Sequence, residues 1–191
     1  MKAMKSTRQF DFMEFYMLYP RLTVLVGSRL NGRDNVMPAS WHTPISGNPP
    51  LYGVVISPKR ATFRAIQETG GFTVNFVSLE MAKLSEDTGF CSGQDTDKFA
   101  KFGMEKAEAL LDVGPILKGA HGALECLLED TFTAGDHGII VGLVEAVHWD
   151  EKLAVPYQEN EVLSPEARPL LYAGRGIYAT WDPNSLIKLR D

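Results

Sequence analysis

Apolar residues along this chain recur in short runs rich in β-branched side chains, and each run is broken by glycine, proline, asparagine or aspartate. That rhythm predicts strands joined by tight turns. Residues 22–28 read LTVLVGS, a buried strand, and the polar cluster Asn31, Gly32, Asp34 and Asn35 turns the chain into a second strand over 36–41. Pro49 and Pro50 stop whatever follows, because neither can donate to a ladder, and a third strand runs over 51–57. A fourth covers 71–77. Two long antiparallel strands, 123–131 and 138–148, turn at Gly135-Asp136, and 169–172 with 177–181 form a closing hairpin across Gly174-Arg175-Gly176.

Helical spacing is confined to short stretches. Phe12, Phe15, Tyr16 and Tyr19 predict an amphipathic helix over 10–19, ended by Pro20. Thr62 is the expected cap of a helix over 63–68 that Gly70 stops. Ser78 is the expected cap of another over 79–89, with Leu79, Met81, Ala82 and Leu84 facing inward, and Asp97 caps a turn carrying Phe99 and Phe102. Residues 91–97 form a polar loop expected to act as a lid or a ligand-ordered segment. Residues 150–167 read as an irregular acidic excursion. Such a chain is mainly β with short helices, and the absence of a βαβ rhythm favours an antiparallel barrel over a doubly wound sheet. No G-x-G-x-x-G turn links a strand to a helix, which argues against a Rossmann dinucleotide site.

Composition narrows the class. With 191 residues, 45% hydrophobic and 23% charged, the chain fits one domain spanning 1–191. A net charge of -5 argues against broad nucleic-acid binding, which needs a basic face. Cys91 and Cys126 cannot build a disulfide framework, and no apolar run is long enough to span a bilayer. The N-terminal stretch carries Asp11, Glu14 and Arg21 among its apolar residues and lacks the pattern of a signal peptide. A cytoplasmic protein with no membrane partner is expected. The histidines are dispersed and show no zinc-ligand spacing, so no metal is expected.

The most informative chemistry lies between Asn35 and Asn75. Lys59, Arg60 and Thr62 stand at a predicted helix start, where free amides and the helix dipole favour an anion. Read alone, the same residues also suit a plain cap with solvated turn cations. Upstream, Ala39 and Ser40 would let backbone amides approach a planar ring, Ser40 and Thr43 would hydrogen-bond its heteroatoms, and Trp41 would form an apolar wall. The alternative there is a polar edge strand with Trp41 in the core.

The ordered set N-x-M-x-A-S-W at 35–41, N-P-P-L at 48–51, S-P-K-R-x-T at 57–62 and G-F-T-V-N at 71–75 resembles the flavin reductase-like family of FMN-binding split barrels. Asp97-Lys98-Phe99, Gly135-Asp136-His137 and Pro169-Leu170-Leu171-Tyr172 extend the resemblance over nearly the whole chain. The resemblance implies a six-stranded antiparallel, Greek-key-like split barrel that forms a homodimer with FMN near the interface. It implies hydride transfer from NADH or NADPH to FMN and on to free flavin, ferric iron, oxygen or a partner protein. Carried over by position, Ala39, Ser40, Trp41 and Thr43 would face the flavin ring, and Ser57, Lys59, Arg60 and Thr62 would hold its phosphate. Asn75, Phe76 and Ser78 would line the ribityl and ring side. His137 would sit near the open flavin face or the nicotinamide, as orienting group or proton relay. Hydride transfer is cofactor chemistry, so the protein needs to stack, orient and exclude water. Two rivals remain: an FMN-binding electron carrier without its own NAD(P)H turnover, and a split barrel using another phosphate-bearing cofactor such as a deazaflavin.

Overall fold

The computed structural model describes residues 8–9, 11–157 and 160–185. Seven strands form one sheet: β1 Val24–Leu30, β2 Arg33–Ala39, β3 His42–Gly47, β4 Pro50–Ile56, β5 Gly71–Phe76, β6 Gly122–Ala134 and β7 His137–Trp149. Their order across the sheet is β2-β1-β5-β6-β7-β4-β3, antiparallel at every pairing. The two edge strands, β2 and β3, are consecutive in the chain and separated only by Ser40 and Trp41. A link that short forces the sheet to curl until its edges meet, while no ladder joins β2 to β3. The result is a barrel with a seam.

The main sheet therefore has seven strands where six were expected. The addition is β3, whose HTPISG sequence is largely exposed and breaks register at Pro44 to Ser46. A proline is tolerated there because β3 is an edge strand, and Pro50 opens β4 instead of ending a ladder. β1 is buried almost continuously for a geometric reason. Val24 and Val26 point into the barrel with Val54, Ile56, Phe72 and Ile140, while Leu25 points the other way onto Val36, Val77, Leu117 and Leu170.

Three helices dress the barrel: α1 Ala61–Thr69, α2 Ala82–Gly89 and α3 Lys98–Phe102. Gly70 ends α1 at φ 74°, in the left-handed region expected of it. Asp97 caps α3 by accepting from the Ala100 amide at 3.0 Å. The expected N-terminal helix is a 3-10 turn, Phe12–Leu18, and Phe10 lies outside the described residues. Residues 79–89 divide into a 3-10 turn, Leu79–Met81, and α2, and Ser78 opens the first without a side-chain cap. The excursion at 150–167 is more ordered than expected, since Ala154–Tyr157 pairs with Asn160–Leu163 as a small hairpin. The closing hairpin, Leu171–Gly174 with Ile177–Ala179, joins Arg21–Leu22 in a separate three-stranded sheet.

Buried polar side chains fix the loops. Asn75, fully buried on β5, donates to the Leu25 carbonyl at 3.0 Å and the Pro115 carbonyl at 3.2 Å, and accepts from the Leu117 amide at 2.7 Å. Glu125, also fully buried, accepts from the amides of Leu110 at 2.8 Å and Leu111 at 2.7 Å and pairs with His148 at 2.6 Å. Cys91 and Cys126 are unbridged, and burial pushes the Cys126 thiol up to about 12. No helix of the described residues is long and apolar enough to cross a membrane.

Candidate functional site

The seam is clamped from outside. Trp41 Nε1 donates to the Tyr19 hydroxyl at 2.9 Å, Arg21 Nε donates to the Ser40 carbonyl at 3.1 Å, and the Trp41 carbonyl accepts from the Val55 amide at 2.8 Å. His42 Nε2 lies 3.0 Å from the Leu22 carbonyl and its Nδ1 lies 2.6 Å from the Tyr52 hydroxyl. A carbonyl only accepts, so Nε2 carries the proton and Nδ1 accepts from Tyr52. Burial holds His42 below the usual histidine range, which keeps that tautomer neutral. The two-residue link is thus laced to residues 19–22, and its side chains face a cleft of about 1060 Å³.

One end of the cleft is cationic. The turn after β4 brings Ser57, Lys59 and Arg60 to the start of α1, whose first amides have no helical partner. Thr62 lines this end but does not cap the helix. It is 2% exposed, Arg60 occupies the cap position without a side-chain bond, and Thr62 Oγ1 accepts from Asn35 Nδ2 at 3.0 Å. Accepting there leaves the Thr62 proton free to donate. α1 is seated by Phe63, which packs where Gly138 of β7 has no side chain and where an added Cβ would collide with the ring.

Lys98 completes this end. It is 3% exposed, and its ammonium donates to the carbonyls of Val36 and Thr88, each at 2.7 Å. Burial lowers its pKa to about 8, and the Arg60 charge adds to the lowering. Among the described residues no carboxylate forms an ion pair with Lys59, Arg60 or Lys98.

The other end is phenolic and acidic. Tyr16, Tyr19, Tyr172 and Tyr178 line it with Glu86 and Thr23. Tyr16 meets Tyr19 edge-on at 5.1 Å between centroids, and Tyr172 meets Tyr178 at 5.2 Å. Between the two ends, Trp41 and His137 stand 5.0 Å apart, centroid to centroid. His137 Nδ1 lies 2.7 Å from Asp136 Oδ1, and the carboxylate only accepts, so Nδ1 carries a proton and Nε2 is the nitrogen turned away from Asp136. The His137 contact holds the Asp136 carboxyl below its ordinary range.

The cleft brings together Ala39, Ser40, Trp41, Ser57, Lys59, Arg60, Thr62 and His137 of the residues singled out by sequence. Thr43, Asn75, Phe76 and Ser78 lie away from it. Thr43 is exposed on β3 and donates to the Pro44 carbonyl, while the polar atoms of Asn75 are taken by the loop contacts above. Phe76 packs against His42, Tyr52 and His121, and Ser78 bridges to Pro169. Sequence reading assigned no cleft role to Asn35, Lys98, Glu86, Thr23 or the tyrosines. Only the 35–41, 97–99 and 169–172 motifs marked any of them.

The model of the flavin reductase like domain matches residues 16–180. The reductase component of 4-hydroxyphenylacetate 3-monooxygenase from Thermus thermophilus is 30% identical over 152 residues, covering 80% of this chain and 83% of the relative. Among solved structures, an FMN-binding protein from Thermus thermophilus with bound 1-cyclohex-2-enone is similar at a TM-score of 0.79 and 32% identity, over 98% of this chain and 100% of that one. Flavoredoxin from Methanosarcina acetivorans gives a TM-score of 0.81 at 25% identity, over 100% of this chain and 97% of the other.

Proposed function

The chain belongs to the flavin reductase-like family, and from that membership we propose that it is an FMN-dependent oxidoreductase taking hydride from NADH or NADPH. The acceptor is free flavin, ferric iron, oxygen or a partner protein such as an oxygenase component. The observation that carries this reading is the cationic end of the cleft, where Lys59, Arg60 and Lys98 meet the start of α1 and no carboxylate among the described residues is ion-paired to them.

Bound FMN would supply the redox chemistry, accepting hydride and passing electrons on. The chain's own residues bind and orient. Lys59, Arg60, Lys98 and the first amides of α1 hold the phosphate, and Thr62, its acceptor side taken by Asn35, donates its hydroxyl proton to it. Ala39 and Ser40 admit the ring and Trp41 walls it, while the tyrosines exclude water. His137 presents Nε2 to orient nicotinamide or to move a proton.

We also propose a homodimer in a reducing cytoplasm. Leu127, Phe132, Val147 and Trp149 are exposed on β6 and β7, and a second copy is the occupant proposed for them. Sedimentation of the FMN-loaded protein as a stable monomer would contradict the dimer.

A second reading is an FMN-carrying module without NAD(P)H turnover. Phe90, 83% exposed among the residues lining the cleft, is what favours it, as a contact for a docked protein. Steady-state oxidation of NADH and NADPH, with FMN bound and with free flavin or ferric iron added, separates the two. Turnover with either nicotinamide supports the reductase, and none in any combination leaves the carrier.

A further inference from the structure

The acidic, phenolic end of the cleft has chemistry that a phosphate-bearing ligand does not use. Glu86 lines the cleft from α2, and its Oε2 accepts from the Tyr178 hydroxyl at 2.5 Å. No described residue bonds the other oxygen, Oε1, and no described cation pairs with this carboxylate. The turn beside it keeps that oxygen clear. Gly174, Arg175 and Gly176 all have positive φ, at 97°, 55° and 74°. A Cβ on Gly176 would stand 3.2 Å from Glu86 Oε1, and one on Gly174 would press into the Tyr16 ring at 2.7 Å. A left-handed turn built from glycines thus lets the hairpin close on Tyr16 while leaving Oε1 open.

Aromatic rings border that open acceptor: Tyr178, which bonds the same carboxylate, leans on Tyr172, and Tyr172 meets Tyr16 edge-on. The cleft, at about 1060 Å³, lies at the upper limit of the roughly 300–1,000 Å³ usual for single small-ligand pockets. A free carboxylate oxygen beside aromatic faces selects a ring that brings its own donor.

We propose that this end is a second subsite, taking a planar aromatic ring that carries an N–H or O–H donor aimed at Glu86 Oε1. The proposal rests on the FMN reading for the other end of the cleft. Two sources share this chemistry: the carboxamide-bearing nicotinamide ring of the hydride donor, and a phenolic electron acceptor.

Matched pairs that differ only in the donor test it. Nicotinamide against N,N-dimethylnicotinamide, and phenol against anisole, are titrated into the FMN-loaded protein and followed by the shift in flavin absorption, which requires no turnover. In the wild type, the donor-bearing member of at least one pair should bind about tenfold more tightly, as expected where a site is built to receive a hydrogen bond. Glu86→Gln keeps an acceptor for Tyr178 and replaces the free oxygen, so it should erase that preference while FMN affinity stays within about twofold.

Discrimination in the nicotinamide pair alone assigns the subsite to the hydride donor, and in the phenol pair alone to the acceptor. Discrimination in both assigns it to both in turn. Tyr178→Phe keeps the carboxylate and should retain the preference. Equal binding within both wild-type pairs, or a preference that survives Glu86→Gln, overturns the proposal, as does its loss in Tyr178→Phe as well. If FMN does not bind at all, the FMN reading fails by itself, and the same pairs titrated against ligand-free protein by intrinsic fluorescence still decide the subsite.

Discussion

Removing the Arg60 guanidinium should weaken FMN far more than riboflavin, which has the same ring and ribityl chain without the phosphate. Arg60 sits at the cap position of α1, exposed, and no carboxylate among the described residues pairs with it, so its side chain can meet an anion. A hydrogen bond to a charged group contributes about 1.5–3 kcal/mol when well sheltered. Arg60 is solvent-exposed, and screening reduces the figure to about 1–2 kcal/mol, a loss of roughly 5- to 30-fold in FMN affinity. Lys59→Ala added to Arg60→Ala should deepen the loss and flatten the dependence of FMN binding on salt. Fluorescence titration of ligand-free protein with FMN and with riboflavin, at low and at physiological ionic strength, measures both effects. Equal weakening of the two ligands would mean that Arg60 acts through folding, and an unchanged FMN affinity would place the phosphate elsewhere.

Three further outcomes are expected. Burial lowers the Lys98 pKa to about 8, so the FMN preference over riboflavin should decline as pH rises through that value, because binding an anion favours the protonated amine; a preference flat to pH 10 would exclude a role for its charge. Thr62→Val leaves Asn35 Nδ2 with only Ser28 Oγ and should cost about 1–3 kcal/mol in denaturant melts together with FMN affinity, with Thr62→Ser restoring both; a variant as stable as wild type would refute the buried bond. Burial holds His42 and His121 below the ordinary histidine value of about 6.5, so the unfolded chain takes up protons first and stability should fall as pH drops below that value; equal denaturant midpoints at pH 7 and pH 5 would contradict it.

The strands with apolar runs were legible because burial leaves a strong pattern, as in β1 and in the long hairpin of β6 and β7. β3 was not, since an exposed edge strand carrying Pro44 has neither apolar alternation nor a full set of donors. The cationic end was half legible. Lys59, Arg60 and Thr62 are adjacent in sequence, so their gathering is local, but the reason Thr62 matters is a buried bond from Asn35, a residue far upstream whose contact only the fold creates. Lys98 read as a landmark beside a capping aspartate. Its burial depends on α3 packing the ammonium between the Val36 and Thr88 carbonyls. Tyr16, Tyr19 and Tyr172 each stood out locally, but their meeting as one wall did not, because the rings come from the 3-10 turn and the closing hairpin, at opposite ends of the chain. Asn75 is the converse case: a polar residue within the quoted motif whose polar atoms bond the Leu25 and Pro115 carbonyls and the Leu117 amide.

The most direct test is the absorption spectrum of the FMN-loaded protein before and after anaerobic addition of NADH or NADPH. Stoichiometric loss of the oxidised-flavin band with one of them, and its return on admission of oxygen, is the expected result. Tight FMN binding with no bleaching by either nicotinamide would contradict the reductase and leave a flavin-binding module in its place.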